Sequence, residues 1–376
     1  MKALIFSVSA GGGHKRAAEA VKSYIDIYDN NSEVKIIDTI RYINPLIDKV
    51  VIGGYLKTIK LSPNLFGKLY DYSESDYGIA NLSAKINEIL TYKLIPLIDE
   101  FKPDILISTH AFTTEMISII KMKHKKNLPT VSVITDYACH SFWLHPYIDA
   151  YIVSNSDMAN EMVSKGIDRD TIYNIGIPIK PEFFKKYDSA KTLEDIGLFP
   201  NKKTILIMGG SLGIGKIENI YKKLLFLDKD IQIIIVTGRN KRLYDELIKI
   251  RDNFQTKPTY IIGFTDNVNK YMQACDLLIS KPGGLTVTEA LICGVPLAIF
   301  SPIPGQEEKN AEFLLKYNLA INLSESKNCI DAIDYLISNE AKLQEMKDNC
   351  REFSNPHVGE NLYDILKSLL DKSSLK

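Results

Sequence analysis

Three stretches of this 376-residue chain hold residue types that could do chemistry, at spacings that bring them to bear on one ligand. In Ser280-Lys281-Pro282-Gly283-Gly284-Leu285-Thr286, an apolar run ends in a Pro-Gly-Gly turn that opens a helix. The first N–H groups of a helix have no internal partner and sit at the positive end of its dipole, so such a start draws anions. Gly283 and Gly284 let a phosphate come close to the backbone, and Glu289, one turn inside the helix, could accept two ribose hydroxyls. Pro304-Gly305-Gln306-Glu307-Glu308-Lys309-Asn310 starts a second helix, where Gln306, Glu307 and Asn310 carry the donors and acceptors that count sugar hydroxyls. In the third stretch, Gly11-Gly12-Gly13-His14, a glycine turn leaves an imidazole exposed at a helix start. With an ordinary pKa near 6.5 it suits the task of general base. Together these stretches suggest a nucleotide-sugar site.

The elements that must position these residues are legible as alternating strands and helices. Lys2–Ser9 reads as a buried parallel strand feeding the Gly-Gly-Gly-His turn and a helix with Ala17, Ala18, Ala20, Val21 and Tyr24 on one face. Strands at Val34–Ile37, Asp104–Ser108, Thr130–Ile134 and Ala150–Val153 follow, with helices such as Ile79–Glu100 and Thr113–His124 between them. After Lys180–Asn201, read as a linker, the scheme restarts at Thr204–Met208 with the loop Gly209-Gly210-Ser211-Leu212-Gly213. Strands Ile231–Thr237, Thr259–Ile262, Asp276–Ser280 and Leu297–Phe300 complete a second sheet. The expected domains are 1–178, a linker 179–201, 202–355, and a last helix in 356–376 free to cover either half. His14, His110 and Asp136 all fall at strand ends, where α/β proteins bind ligands. Because most of the histidines lie in the first half and the phosphate-type loops mostly in the second, the acceptor and its base are expected on the first and the donor on the second.

Composition narrows the classes. Forty-six basic and 46 acidic side chains cancel, so no global field favours nucleic acid. Five scattered cysteines without a C-x-x-C spacing argue against a disulfide framework or a structural zinc site and fit a reducing cytoplasm. No apolar run approaches the roughly 20 residues of a membrane span. The segments Asp228-Lys229-Asp230 and Asp168-Arg169-Asp170 fit a D-x-D metal pattern only formally, and no metal is expected. Arg41–Tyr70 stands apart, with Arg41, Lys49, Lys57, Lys60 and Lys68 against Asp48 among apolar and aromatic residues. Each basic side chain contributes about 1 kcal/mol near an anionic bilayer, so the segment reads as interfacial; otherwise it is an ordinary amphipathic core helix.

Ser9–His14 followed by Arg16-Ala17-Ala18-Glu19-Ala20, with Thr135-Asp136, Gly209-Gly210-Ser211, Gly263-Phe264-Thr265, Lys281–Glu289 and Pro304–Asn310, resembles the monogalactosyldiacylglycerol synthase and processive diacylglycerol β-glucosyltransferase group of glycosyltransferase family 28. More distantly it resembles the N-acetylglucosaminyltransferase of peptidoglycan precursor synthesis. The resemblance runs over roughly residues 1–350. It implies an α/β, GT-B fold, two Rossmann-like domains facing each other across a cleft, and inverting transfer from UDP-glucose or UDP-galactose to diacylglycerol without metal or cofactor. It also implies peripheral attachment to the cytoplasmic face of the cell membrane through residues about 41–77. By motif, His14 and Asp136 would serve catalysis. Gly12, Gly13, Gly210, Ser211, Phe264, Gly284, Leu285, Thr286, Glu289, Gln306, Glu307 and Asn310 would serve the donor. Among these, Gly210, Ser211 and residues 284–286 would hold the diphosphate, Phe264 the uracil, Glu289 the ribose, and Gln306 and Glu307 the hexose, with Asn310 close by. A UDP-sugar 2-epimerase of related fold, a transferase acting on another lipophilic acceptor and a non-catalytic UDP-sugar sensor are the alternatives. An oxidoreductase is disfavoured, since Ala10–His14 lacks the G-x-G-x-x-G fingerprint.

Overall fold

The computed structural model describes residues 1–9, 12–44, 87–124, 127–209, 217–323 and 329–374, and these form two compact units. The first unit comprises 1–181, 303–306 and 356–376; the second comprises 182–302 and 307–355. Most of the basic segment expected at a membrane, and Gly210 and Ser211, lie outside the described residues.

The first unit runs β1 (Lys2–Ser7), α1 (Gly13–Tyr28), β2 (Glu33–Asp38), α2 (Thr39–Ile43), α3 (Ile95–Phe101), β3 (Ile105–Ser108), α4 (Ala111–Lys123), β4 (Thr130–Val133), β5 (Ala150–Val153), α5 (Ser156–Ser164) and β6 (Ile172–Asn174). Its sheet is parallel, in the order β2-β1-β3-β4-β5-β6. Ala3 to Phe6 and Ile105 to Ile107 are fully buried because helices cover both faces of a parallel sheet, so these strands are continuous apolar runs. The chain order reverses between β1 and β3, and α/β sheets bind ligands beside the C-terminal strand ends at such a reversal. The turns after β1 and β3 deliver His14 and Thr109-His110 to that place.

The second unit runs α6 (Ser189–Glu194), β7 (Lys203–Met208), α7 (Ile217–Leu225), β8 (Ile231–Val236), α8 (Lys241–Phe254), β9 (Thr259–Ile262), α9 (Val268–Ala274), β10 (Leu277–Ser280), α10 (Gly284–Cys293), β11 (Leu297–Ile299), α11 (Gln306–Lys316), β12 (Ala320–Asn322), α12 (Cys329–Ser338) and α13 (Glu340–Glu352). The parallel order β12-β11-β10-β7-β8-β9 is the dinucleotide-fold arrangement of two three-strand halves read from β7 and β10. Its reversal lies between β7 and β10, where Gly209 and the Pro282-Gly283 turn leave the sheet.

Two expectations need correction, and two further features go beyond what was expected. The stretch read as a loose linker is structured: Asp188 Oδ1 caps α6 by accepting from the Lys191 N–H at 3.1 Å, Leu193 and Leu198 are buried, and Ser189 Oγ donates to the Gln273 carbonyl at 2.9 Å. The helix expected through residue 100 breaks, its last turns passing through a 3-10 turn at Tyr92–Leu94 into α3, where Pro96 sits at the helix start. The last helix, α14 (Val358–Ser374), belongs to the first unit and packs on α1, with Tyr28 and Tyr363 stacked at 5.4 Å. Finally, β6 and β12 are three-residue edge strands that the apolar-run pattern does not announce.

Candidate active site

In the first unit, Gly12 caps α1 with φ 86, a left-handed conformation that costs a glycine little, and so turns the chain sharply enough to put His14 in the first helical turn. His14 is half-buried, with Nδ1 2.8 Å from the Thr109 carbonyl oxygen and 3.0 Å from Thr135 Oγ1. A carbonyl can only accept, so Nδ1 carries the proton and Nε2 of the neutral ring keeps its lone pair. Thr109 Oγ1 donates back to the His14 carbonyl at 3.0 Å, which ties the strand end to the helix start. The His110 ring stands edge-on to His14 with centroids 4.4 Å apart, and Trp143 lies 6.5 Å away. Burial pulls the pKa of His14 down to about 4, with the Thr109 hydrogen bond acting against it. The ring is therefore a neutral imidazole near neutral pH, not the ordinary one that its position suggested. His110 is likewise held well below its ordinary value, by burial and then by His14, because two adjacent imidazoles cannot both easily carry charge.

Asp136, two residues beyond Ile134, is buried, and its Oδ2 accepts a hydrogen bond from the Gln306 side-chain amide. Gln306 thus groups with the first unit, whereas Glu307 groups with the second. Three other histidines serve structure: His110 and His140 accept from the backbone N–H groups of Phe112 and Phe142 as caps, and His145 Nε2 meets the Phe142 carbonyl at 3.0 Å.

In the second unit the residue preceding α10 is Gly283, so the capping position itself offers no side chain to the first-turn N–H groups of residues 284–286. A Cβ built on Gly283 meets nothing within 4 Å, which marks open space beside the turn. Leu285, Thr286 and Glu289 are buried, and Glu289 belongs to the second turn of α10. Asn310 is fully buried and its side-chain amide donates to the Pro282 carbonyl at 3.0 Å, so it braces the turn that precedes α10. Sequence reasoning placed it near the hexose, and nothing in residue type alone distinguishes the two tasks. Lys281, which that reasoning left unassigned, pairs with Glu307 at 4.0 Å. Phe264 is 54% exposed, and the Arg239 guanidinium lies 5.1 Å from its ring centroid. An aromatic face standing in solvent under a cation is suited to stacking on a flat base. Beside it runs an open groove of about 590 Å³ between α8 and the edge strand β9. Asn240, the neighbour of Arg239, caps α8 by accepting from the Leu243 N–H at 3.0 Å.

The D-x-D acids have ordinary duties: Asp168 accepts from the Asp170 N–H, and Asp230 pairs with Lys202. Among the described residues no group of three or more His, Cys, Asp and Glu side chains is arranged to hold a metal ion, and no helix is long and apolar enough to cross a membrane.

Two parallel Rossmann-like units, each with a glycine turn or helix start at its chain reversal, make the GT-B fold. Solved structures of that fold agree: MurG from Acinetobacter baumannii matches with a TM-score of 0.67 at 13% identity, covering 98% of this chain and 99% of that one. HepE from Anabaena in complex with UDP matches at 0.59 and 15%, covering 98% and 100%. A UDP-GlcNAc 2-epimerase from Neisseria meningitidis also matches, at 0.59 and 16%, covering 98% and 100%. Residues 14–179 match the monogalactosyldiacylglycerol (MGDG) synthase family, and residues 204–362 match the glycosyltransferase family 28 C-terminal domain. The processive diacylglycerol β-glucosyltransferase of Bacillus pumilus is 30% identical over 382 residues, covering all of this chain and 96% of the relative. That of Bacillus subtilis is 27% identical over 379 residues, covering 100% and 96%. The chain belongs to the processive diacylglycerol β-glucosyltransferase family of glycosyltransferases.

Proposed function

We propose that this glycosyltransferase moves glucose from UDP-glucose to the 3-hydroxyl of 1,2-diacylglycerol with inversion, giving a β-glucosyldiacylglycerol. What carries the chemical reading is His14, a neutral imidazole whose Nδ1–H is committed to the Thr109 carbonyl and whose Nε2 is therefore the basic atom. Nε2 takes the proton of the acceptor hydroxyl as its oxygen forms the bond to C1 of the sugar. The bond from C1 to the diphosphate oxygen breaks on the opposite face, and UDP departs with that electron pair. Its charge is received by the N–H groups at the start of α10, so the protein supplies the electrostatic stabilisation through its backbone. The proton left on the imidazole is held only weakly, given a pKa of about 4, and passes to solvent to reset the base.

Glucose is preferred over galactose because full-length relatives of this chain are named β-glucosyltransferases, although the family matched over residues 14–179 carries a galactose name. Epimers differing at one hydroxyl are separated by about one hydrogen bond, so the choice is testable and reversible by few residues. Residues about 41–77 are assigned to an anionic membrane surface on the basic, apolar composition of Arg41–Tyr70, and to its cytoplasmic face on the family resemblance.

The decisive assay offers UDP-glucose and UDP-galactose in parallel to purified protein with anionic liposomes containing diacylglycerol, beside lipid-free controls. A β-glucosyl lipid from UDP-glucose is the expected product. A galactolipid instead corrects the sugar, and turnover of the donor without lipid favours the epimerase reading.

A further inference from the structure

His14 Nδ1 lies within hydrogen-bond distance of two oxygens, the Thr109 carbonyl at 2.8 Å and Thr135 Oγ1 at 3.0 Å, although the nitrogen carries a single proton. The carbonyl can only accept, and an unprotonated Nδ1 would set its lone pair against it, so the N–H is shared and the Thr135 hydroxyl accepts as well. From this three-centre arrangement we infer that Thr135 is a positioning residue for the base: it stands where a carboxylate would complete a histidine–acid pair, and it steadies the imidazolium formed during transfer without charging the ring beforehand. The inference rests on the reading of His14 as general base given above.

Three features support the assignment. The two oxygens come from the ends of neighbouring strands, since β3 and β4 pair with Ser108 beside Ser132, so their spacing is set by the sheet and not by a loop. Thr135 is buried, so water does not compete strongly for its hydroxyl. Among the described residues no carboxylate bonds the His14 ring; the titratable group packed against it is His110, itself held neutral, and Asp136, next to Thr135, gives its Oδ2 to the Gln306 amide. A carboxylate at Nδ1 would favour the charged ring and leave Nε2 protonated before the acceptor arrives, whereas two uncharged oxygens fix the tautomer and leave the ring neutral. Once Nε2 has taken the acceptor's proton, both bonds from Nδ1–H become charge-assisted and roughly twice as strong. They therefore contribute more in the transition state than in the ground state, and the loss of one appears in kcat more than in KM.

The test compares wild type, Thr135→Val, Thr135→Ser, Thr135→Asp, His14→Ala and the double variant His14→Ala/Thr135→Val, measuring kcat and KM for UDP-glucose, the pH profile of kcat/KM, and the imidazole ¹⁵N and Nδ1–H resonances of histidine-labelled protein. Thr135→Val keeps the shape and removes the oxygen; it should lower kcat about tenfold, the scale of one charge-assisted hydrogen bond, with KM within about twofold. Thr135→Ser should recover most of the loss, and Thr135→Val should cost less than about twofold in the His14→Ala background, because the two residues act as one unit. In the spectrum the proton should stay on Nδ1 in Thr135→Val, with its resonance moved upfield by the lost acceptor. Thr135→Asp should lift the acidic limb from about 4 by about one pH unit or more, because an opposite charge favours the imidazolium. An unchanged kcat in Thr135→Val, a loss that Thr135→Ser does not recover, an undiminished effect without His14, or an unmoved limb in a folded Thr135→Asp protein overturns the inference. Should Thr135→Val fail to fold, Thr135→Ala takes its place under the same criteria. A His14→Ala protein with wild-type kcat would instead reject the base reading, an outcome that the spectrum, which needs no turnover, keeps apart from these.

Discussion

At the scale of single residues, the decisive quantity is the state of His14. Its geometry fixes the tautomer and its burial favours the neutral ring, so the base is in its working form at pH values well above about 4. Two consequences follow for kinetics. Across the range near pH 6.5, where a free imidazole titrates, kcat/KM should be flat, with the acidic limb displaced towards about 4; a limb centred near 6.5 would show that His14 is not the base. Replacing His14 by Ala should lower kcat by about 10²–10⁴ with the Kd of UDP unchanged, since general bases contribute on that scale and the nucleotide is received elsewhere. Gly283 offers a residue-level test of the donor site. Its φ of −69 and ψ of 136 suit any L residue, and a Cβ there meets nothing within 4 Å, so Gly283→Ala has no reason to harm the fold. A gain of up to about 1 kcal/mol from the stiffer unfolded chain is the expected effect on stability. A diphosphate lying against the turn would meet the new methyl group, so UDP affinity should fall at least about tenfold. Unchanged UDP binding with unchanged stability would move the diphosphate away from this turn.

At the scale of elements, the molecule depends on how each helix start is held over its strand ends. The start of α1 presents His14, and the body of α1 is pinned from behind by α14. Gly359 of α14 lies so close to Tyr24 of α1 that a Cβ would stand 2.1 Å from Tyr24 Cε1. The ring cannot easily retreat, because its hydroxyl donates to the Ile179 carbonyl at 2.8 Å. Gly359→Ala should therefore cost about 1–3 kcal/mol, the range of overpacked cores, read as a lower urea midpoint with retained far-UV dichroism. An unshifted midpoint would mean that α14 can slide on α1. The same contact explains part of what the sequence could and could not show. Continuous apolar runs such as Ala3–Phe6 and Ile231–Val236 announce parallel strands, and the glycine turns announce helix starts, because both are local patterns. The partner of α14 is a tertiary fact carried by one glycine and one tyrosine 335 positions apart (359 − 24), and no local period encodes it. Likewise Asn310 reads as a sugar contact by type, yet the fold turns its amide to the Pro282 carbonyl. The edge strands β6 and β12 escape notice because a strand with one neighbour and three residues needs little apolar sequence.

At the scale of the whole molecule, the histidines couple the site to stability. His14 and His145 titrate at about 4, and His110 well below its ordinary value, in each case chiefly through burial. All three are neutral in the folded protein at pH values where the unfolded chain, with ordinary values near 6.5, already binds protons. A depressed histidine pKa means that the unfolded state takes up more protons, so stability falls as pH falls, beginning near 6.5 and continuing towards 4. If all three contribute fully, the slope approaches about 4 kcal/mol per pH unit, enough to consume a typical domain stability within a few units. Two carboxyls modify the curve. Glu115, raised by burial, is protonated earlier in the folded state and offsets part of the loss above about pH 4. Asp29, lowered mainly by its hydrogen bond from the amino terminus, adds to the loss below its ordinary value of 3.8. Urea unfolding at pH 7.5, 6.5, 5.5 and 4.5, values spanning roughly the ordinary and depressed histidine pKa range, should show a level plateau and then a steep decline. Replacing His145, which does no proposed chemistry, by Phe should remove one proton from the coupling and reduce the slope by up to about 1.4 kcal/mol per pH unit. A stability that stays level from pH 7.5 to 4.5 would mean that these rings open to water when they take up a proton. His14 would then lose its claim to be neutral by enclosure, and the flat pH–rate profile would have to come from another base.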